Sequence, residues 1–395
     1  MKIGIYSGTI PPPVFINNLV NGLAYKGDKV FIYGRAVTGN NQYLNSSIKQ
    51  RKIPSTKLGV ILHSGAFFFS LIIKKPQSYH SIINNIWKYS NSWIQFIQRI
   101  CRVLPPFLDK LDIFHIQWAK TLINYPEFVE KLSCPVLLSF RGAHINYSPL
   151  VDNNLVEGYN KYFPKVAGFH AVSSAISLEA QKYGADQKKI TIIPPAVNID
   201  LISDNIKERT NKTVGELEII SVGRCHWKKG YTFALDAMAA LMKKSINFHY
   251  IIIAGGKDDE NILYQIYDLG LTENVTFING LSYEKVIDRV SNSALFLLPS
   301  VEEGISNAVL EAMALGIPVI STDCGGMREV VINNNNGFLV PVREPNAMAE
   351  AIQNFINLDE KEINDIINNA RRNIIDNHLL SHQIKKFQFF YEKIV

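Results

Sequence analysis

The chain has 395 residues, 47% of them hydrophobic and 19% charged, with a formal net charge of +6 at pH 7. That length exceeds one ordinary domain and suits two of about 190 residues each, while the composition excludes a disordered, low-complexity or repeat protein. The four cysteines, Cys101, Cys134, Cys225 and Cys324, form no C-x-x-C pair, which argues against a disulfide framework or zinc site and points to a reducing cytoplasm.

Residues 2–6 read as a strand leading into a loop at Gly8, without the basic start and apolar core of a signal peptide. Residues 14–25 have helical periodicity and 29–33 read as a strand after the turn at Gly27 and Asp28, so a βαβ unit forms at once. The longest apolar run, 60–73, is interrupted by His63, Ser64 and Gly65. It is too short to span a bilayer but able to lie on one.

Charge is unevenly shared. The first hundred residues carry twelve Lys and Arg against a single acid, Asp28, for a net of +11, whereas residues 101–199 carry +2 and the remainder −7. This asymmetry points to an anionic surface. The bases interleave with Phe67, Phe68, Phe69, Trp87, Trp93 and Phe96, which is the pattern of an interfacial segment. Nucleic acid is disfavoured as a partner, since no helix-turn-helix, zinc-finger or RNP-like motif is present.

Short β-rich runs follow at 113–117, 136–140, 168–172 and 190–193, with helical segments between several of them, implying a parallel sheet. A boundary is expected near 194–212, where Pro194 and Pro195 precede a polar, charged stretch. The alternation then restarts, with strands at 219–223, 248–254, 275–278 and 295–298 and helices at 231–243, 261–269 and 283–292. Residues 308–315 read as a further helix stopped by Gly316, 317–321 as the next strand, and 379–395 as a last helix carrying Phe387, Phe390 and Tyr391. Two Rossmann-like units result, and open sheets of this kind bind ligands at the C-terminal ends of their strands.

Arg224 and Lys229 follow the strand that ends at Gly223. Arginine offers phosphate oxygens a planar fork and lysine a point charge, so the pair suits a diphosphate; the neighbouring Lys228 is expected to face water. Glu303 and Glu311 bracket the start of the 308–315 helix, whose unpaired N–H groups also favour phosphate. Eight residues at roughly 100° each leave the two carboxylates about 80° apart. Carboxylates repel phosphate and accept from hydroxyls, so the ligand described is phosphate-centred with hydroxyls at both ends, as in a nucleotide sugar.

The stretch 299–331, PSVEEGISNAVLEAMALGIPVISTDCGGMREVV, resembles the E-x7-E signature of glycosyltransferase family 4, and GRCHWKKG at 223–230 is similar to that family's G-R-x4-K-G pattern. The resemblance implies an α/β, GT-B fold: two facing Rossmann-like domains with a cleft between them and a C-terminal crossover helix. It implies an acceptor-binding domain at 1–197, a nucleotide-sugar domain at 198–378, and the 379–395 helix packing back on the first.

By the same resemblance Arg224 and Lys229 hold the donor diphosphate, Glu303 faces the donor sugar and Glu311 the ribose. Gly304, Ile305, Ser306 and Asn307 stand in place of the family's G-F-G-x, with Ser306 and Asn307 able to alter sugar preference. Gly223, Gly255 and the Gly280-Leu281-Ser282 loop are expected around the nucleoside diphosphate, and Gly8 beside it. Arg141 replaces the family's active-site His and His144 its Asp, so both are candidates for catalysis or acceptor binding. His115, Gln117 and Trp118 resemble the D-x-x-H-x-H segment of the cleft floor.

The implied activity is retaining, metal-independent transfer from a UDP- or GDP-linked sugar, with no cofactor, to a glycan or polyprenyl-diphosphate-linked acceptor at the cytoplasmic membrane face. The alternatives are a phosphorylase or nucleotide-sugar epimerase of the same fold, or a catalytically impaired sugar-nucleotide-binding protein. A NAD-dependent dehydrogenase is disfavoured, because neither first turn gives G-x-G-x-x-G.

Overall fold

The computed structural model describes residues 1–37, 45–206, 215–256 and 260–395. They divide into two compact units, Met1–Ile193 with Gln383–Val395, and Pro194–His382. The linker expected at 194–212 lies outside the described residues from 207 onward.

The first unit contains β1 (Lys2–Ile10), β2 (Lys29–Ala36), β3 (Ile48–Ile53), β4 (Ile113–Ile116), β5 (Val136–Phe140), β6 (Gly168–Ala171) and β7 (Ile190–Ile192). These form one parallel sheet in the order β3-β2-β1-β4-β5-β6-β7. β4, β5 and β6 are buried along their whole length, as expected of central strands covered on both faces. β3 was not legible in the sequence. It is an edge strand, IKQRKI, whose exposed positions carry charge rather than alternating apolar residues, the usual protection of a sheet edge.

The second unit contains β8 (Leu217–Arg224), β9 (Phe248–Gly255), β10 (Val275–Ile278), β11 (Leu295–Leu298), β12 (Val319–Thr322) and β13 (Phe338–Val340). They form a parallel sheet in the order β10-β9-β8-β11-β12-β13. Alternation sends Leu295 and Leu297 to the core under the Tyr231–Lys243 helix, and Phe296 and Leu298 to the core under the Asn307–Leu315 helix. One continuous apolar run thus serves two cores.

Two expectations change. The helix around 60–73 runs from Lys57 to Lys74, capped by Thr56, whose Oγ1 accepts from the Gly59 N–H at 3.2 Å. At 18 residues it is, by length and composition, long and apolar enough to cross a membrane, which counting the apolar run alone did not predict. Of the aromatics expected at an interface, Phe96 is buried and Phe67 and Phe68 pack against the core, whereas Phe69, Trp87 and Trp93 are exposed.

The last helix, Leu380–Glu392, packs on the first unit. Gly22 makes room for it, since a Cβ there would meet Ile384 at 2.5 Å. Its Tyr391 hydroxyl lies 2.8 Å from His115 Nδ1, and a buried chain continues through His115 Nε2, Ser139 Oγ and His170 Nδ1 at 2.8 Å each, ending with His170 Nε2 2.9 Å from the Ile193 carbonyl. His115 is therefore a fully buried core residue, not an open part of a binding floor.

Candidate active site

In the second unit the C-terminal end of β8 presents Arg224, and a 3-10 turn, Trp227–Lys229, follows. Gly230 ends this turn at φ 66°, with no room for a side chain: a Cβ would lie 2.0 Å from the Pro299 carbonyl oxygen. Gly223 is closely packed as well, because a Cβ would meet the Tyr231 hydroxyl at 2.8 Å and Lys229 Cε at 2.9 Å and displace those side-chain ends. These contacts seat the Lys229 turn on the loop that follows β11.

That loop carries Glu303. Its Oε1 accepts from Lys229 Nζ at 2.5 Å and Ser300 Oγ at 3.0 Å, and its Oε2 lies 3.7 Å from Lys228 Nζ. Burial by itself would raise the Glu303 carboxyl, but Lys229 and Lys228 outweigh it and hold the group below the ordinary carboxylate range. Lys228 shifts down for the same primary reason, burial, with Glu303 opposing. Lys228 is thus buried and paired with the carboxylate, not turned to water as the sequence implied. The physical cause is the 3-10 turn, which sends both lysines inward.

The backbone of the loop is fixed from behind. Thr322 Oγ1 donates to the Ser300 carbonyl, Gly326 N–H donates to the Gly304 carbonyl at 2.8 Å, and Gly325 at φ 53° leaves space for Glu303 O. Gly304, Ile305 and Ser306 are buried here. The helix Asn307–Leu315 starts next, with Ser306 as N-cap making no side-chain capping bond and the buried Asn307 Oδ1 unpartnered. Its first N–H groups, with no intrahelical acceptor, favour an anion.

Glu311 lies on the same helix and accepts from the Tyr283 hydroxyl at 3.1 Å. Burial pushes its carboxyl up to about 7, against the lowering effect of that bond. Tyr283 opens the helix directly after Gly280, Leu281 and Ser282, so the fold joins Glu311 to the loop that sequence reasoning assigned to the nucleoside. Gly255 closes β9, where its carbonyl accepts from Cys225 N–H at 2.8 Å. Among the predicted residues, Lys229 and Glu303 are in direct contact, and Gly223 packs on Lys229.

Sequence reasoning missed Lys228, Ser300 and Tyr283. Ser300 stands at the strand end three residues before Glu303, and Tyr283 directly follows a glycine loop. Position at a strand end or loop exit was the available signal.

In the first unit Gly8 adopts φ 86° after a register shift between Tyr6 and Gly8. Trp118 Nε1 donates to the Ser7 carbonyl at 2.8 Å and its ring meets those of Phe15 and His144 edge-on at 6.0 and 5.9 Å. Arg141 Nη2 donates to Gln117 Oε1 at 2.6 Å, and its guanidinium lies 4.6 Å from the Phe15 ring centre. Burial draws the Arg141 pKa down to about 10, leaving it cationic at neutral pH. Arg141 is therefore a held cation, with Nε and the Gln117 Nε2 buried and unpartnered. His144 is drawn down to about 4, first by burial and then by Lys120, and is neutral at pH 7. Gly8, Arg141 and His144 lie around the ends of β1, β4 and β5.

Two parallel α/β domains of this kind define the GT-B glycosyltransferase fold. Solved structures share it along the whole chain: a glycosyltransferase from Rickettsia africae ESF-5 has a TM-score of 0.72 at 20% identity, covering 100% of this chain and 98% of that one. Anabaena Alr3699/HepE in complex with UDP-glucose has a TM-score of 0.72 at 16% identity and full coverage of both. Residues 202–373 match the family model of glycosyl transferases group 1. WcaL of Escherichia coli (strain K12), which carries the name of a colanic acid biosynthesis glycosyltransferase, is 30% identical over 285 residues, 70% of this chain and 69% of WcaL. The chain belongs to the group 1 glycosyl transferases.

Proposed function

We propose that this protein is a retaining glycosyltransferase of family 4 that moves a sugar from a nucleotide-diphosphate sugar to a glycan or lipid-linked acceptor during cell-surface polysaccharide synthesis. The observation that carries the reading is the Lys229–Glu303 contact beside Arg224 and a helix N-terminus, with Glu311 eight residues on. WcaL's name supports a polysaccharide product, and the UDP-glucose complex of HepE supports a nucleotide-sugar donor.

In this reading Arg224, Lys229 and the first N–H groups of the Asn307–Leu315 helix neutralise the leaving diphosphate. These fixed cations supply the neutralisation that a metal supplies elsewhere, so turnover is expected to survive chelation by EDTA. Glu303 Oε1 aligns Lys229, while Oε2 is the acceptor for a donor-sugar hydroxyl. Glu311 accepts from a ribose hydroxyl, and the backbone around Gly255, Leu281, Gly304, Ile305, Ser306 and Asn307 encloses the nucleotide.

The sugar–phosphate bond breaks as the acceptor oxygen bonds the anomeric carbon on the same face, and the acceptor's proton passes to the departing diphosphate. A histidine with a pKa of about 4 is a weak base at pH 7, so His144 serves acceptor binding, together with Arg141, while Gly8 approaches the diphosphate. The protein works in the cytoplasm, peripheral to the plasma membrane, a location supported by the cationic first hundred residues.

Glu311→Ala and Lys229→Ala should each nearly abolish donor turnover while the protein stays folded by circular dichroism; full activity in either overturns the assignment. The anomeric configuration of the product, read by NMR, tests retention. A thermal-shift screen of UDP, GDP and their sugars identifies the base, since a specific ligand raises stability by mass action.

A further inference from the structure

The Lys57–Lys74 helix carries apolar residues on both its covered and its outer side, with His63 and Ser70 as its polar groups outside the covered stripe between the terminal lysines. Ser64, Phe67, Phe68 and Leu71, spaced i, i+3, i+4 and i+7, face the first unit: Ser64 and Leu71 are buried, Phe67 and Phe68 pack on the core, and Ser64 Oγ donates to the Ile97 carbonyl at 2.8 Å. The other side presents Leu58, Ile61, Leu62, Phe69 and Ile73, between 55% and 79% exposed. A surface helix normally turns charged and amide groups outward, and one apolar on both sides is covered by something. Trp93 and Ile94, 68% and 72% exposed, border it one helical turn before Ile97, and the Trp93 ring centre lies 4.7 Å from that of Trp87.

The rim of this face is cationic. Lys57 starts the helix, Lys74 and Lys75 end it, and Lys88 lies on the next one, while residues 29–108 contain no Asp or Glu at all. We propose that this face is a docking surface for an anionic phospholipid bilayer, with the outer apolar stripe and Trp93 seated at the headgroup–acyl boundary and the lysines meeting lipid phosphates. It rests on the peripheral location proposed above and gives that location its residues.

Charge selects lipid over a second copy, which would bring two sets of uncompensated lysines together. Packing selects lying over spanning. Crossing would strip Phe67, Phe68 and Leu71 from the core against which they pack, although length alone would allow it.

The experiment is flotation of the full chain with phosphatidylcholine vesicles, with and without about 30% phosphatidylglycerol. Expected is binding to the anionic vesicles that high salt weakens, and a loss of at least about tenfold in Leu62→Asp/Phe69→Asp and in Lys57→Gln/Lys74→Gln. Unchanged thermal unfolding of these variants separates lost docking from lost folding. No flotation of the wild type, or undiminished flotation of the Leu62→Asp/Phe69→Asp chain, overturns the proposal. So does a dimer in solution that this double substitution dissolves without any vesicle binding, or resistance of bound protein to carbonate extraction, the behaviour of a spanning helix. Because flotation needs no sugar nucleotide, its failure leaves the transfer reading standing; loss of turnover in Lys229→Ala tests that reading separately.

Discussion

Lys229 Nζ donates to Glu303 Oε1 at 2.5 Å, tying together two loops 74 residues apart in sequence. With Lys228 on the other carboxylate oxygen, two cations share one anion in a buried site. The excess positive charge is what a diphosphate would complete.

Removing the anion should therefore cost more than removing one cation. Glu303→Gln leaves two buried ammonium groups without their counter-ion, for a loss of about 3–5 kcal/mol. Lys229→Ala leaves Glu303 with Lys228 and Ser300, for about 2 kcal/mol, yet should lower donor turnover by at least about a hundredfold. Urea unfolding and donor hydrolysis on the same preparations compare the two.

Glu311 should make both stability and donor binding depend on pH near neutrality. Its carboxyl is raised by burial to about 7, so between about 4.5 and 7 the native state holds a proton that the unfolded chain has lost. This contribution to stability is full below about 4.5 and is lost as pH rises through 7. Affinity for a ribose hydroxyl moves oppositely, improving as the carboxylate forms above 7. Glu311→Gln should flatten the donor-affinity profile. Tyr283→Phe should shift its midpoint upward, since the Tyr283 bond favours the charged form. Calorimetric titration with UDP or GDP across pH 5.5–8.5 reads both.

Gly230→Ala tests the close seating of the lysine turn. A methyl group would meet the Pro299 carbonyl oxygen at 2.0 Å in a left-handed conformation, costing about 2–4 kcal/mol. Turnover should fall with it, because Lys229 is carried away from Glu303. A thermally stable, active variant would show that the turn relaxes independently.

Tyr391→Phe removes the hydroxyl partner of His115 Nδ1. The expected loss is about 1–3 kcal/mol in thermal unfolding, with donor affinity unchanged, because Arg224, Lys229, Glu303 and Glu311, proposed to hold the donor, lie in the other unit. Burial, then His170 and Arg141, keep His115 well below its usual pKa, and burial and Arg141 draw His170 to about 3. Unfolding allows both to protonate, so this part of the stability is present above about 6.5 and falls as pH drops below it. Histidine NMR titration would show both rings neutral down to acid pH.

Much of the fold was legible because buried parallel strands are short apolar runs separated by helical periods, as in Leu295–Leu298 and Tyr283–Asn292. β3 and β13 escaped, one a charged edge and the other three residues long. In the site, Arg224, Lys229, Glu303 and Glu311 stood out through local spacing around a strand end and a helix start. Their partners did not: Lys228 sits beside a lysine and reads as solvated, and Tyr283 lies 28 residues from Glu311.

The alternation of strands and helices, the two-unit organisation, and the cationic and acidic residue types around one helix start are written in the order of residues, because these depend on local period and spacing. Which charges meet was set by folding. Packing buried Lys228 with Glu303, raised Glu311, enclosed His115, clamped Arg141 between Gln117 and Phe15, and left an apolar side of the Lys57–Lys74 helix bare. Burial and long-range contact set each of these, and neither is carried by the order of residues within a single element.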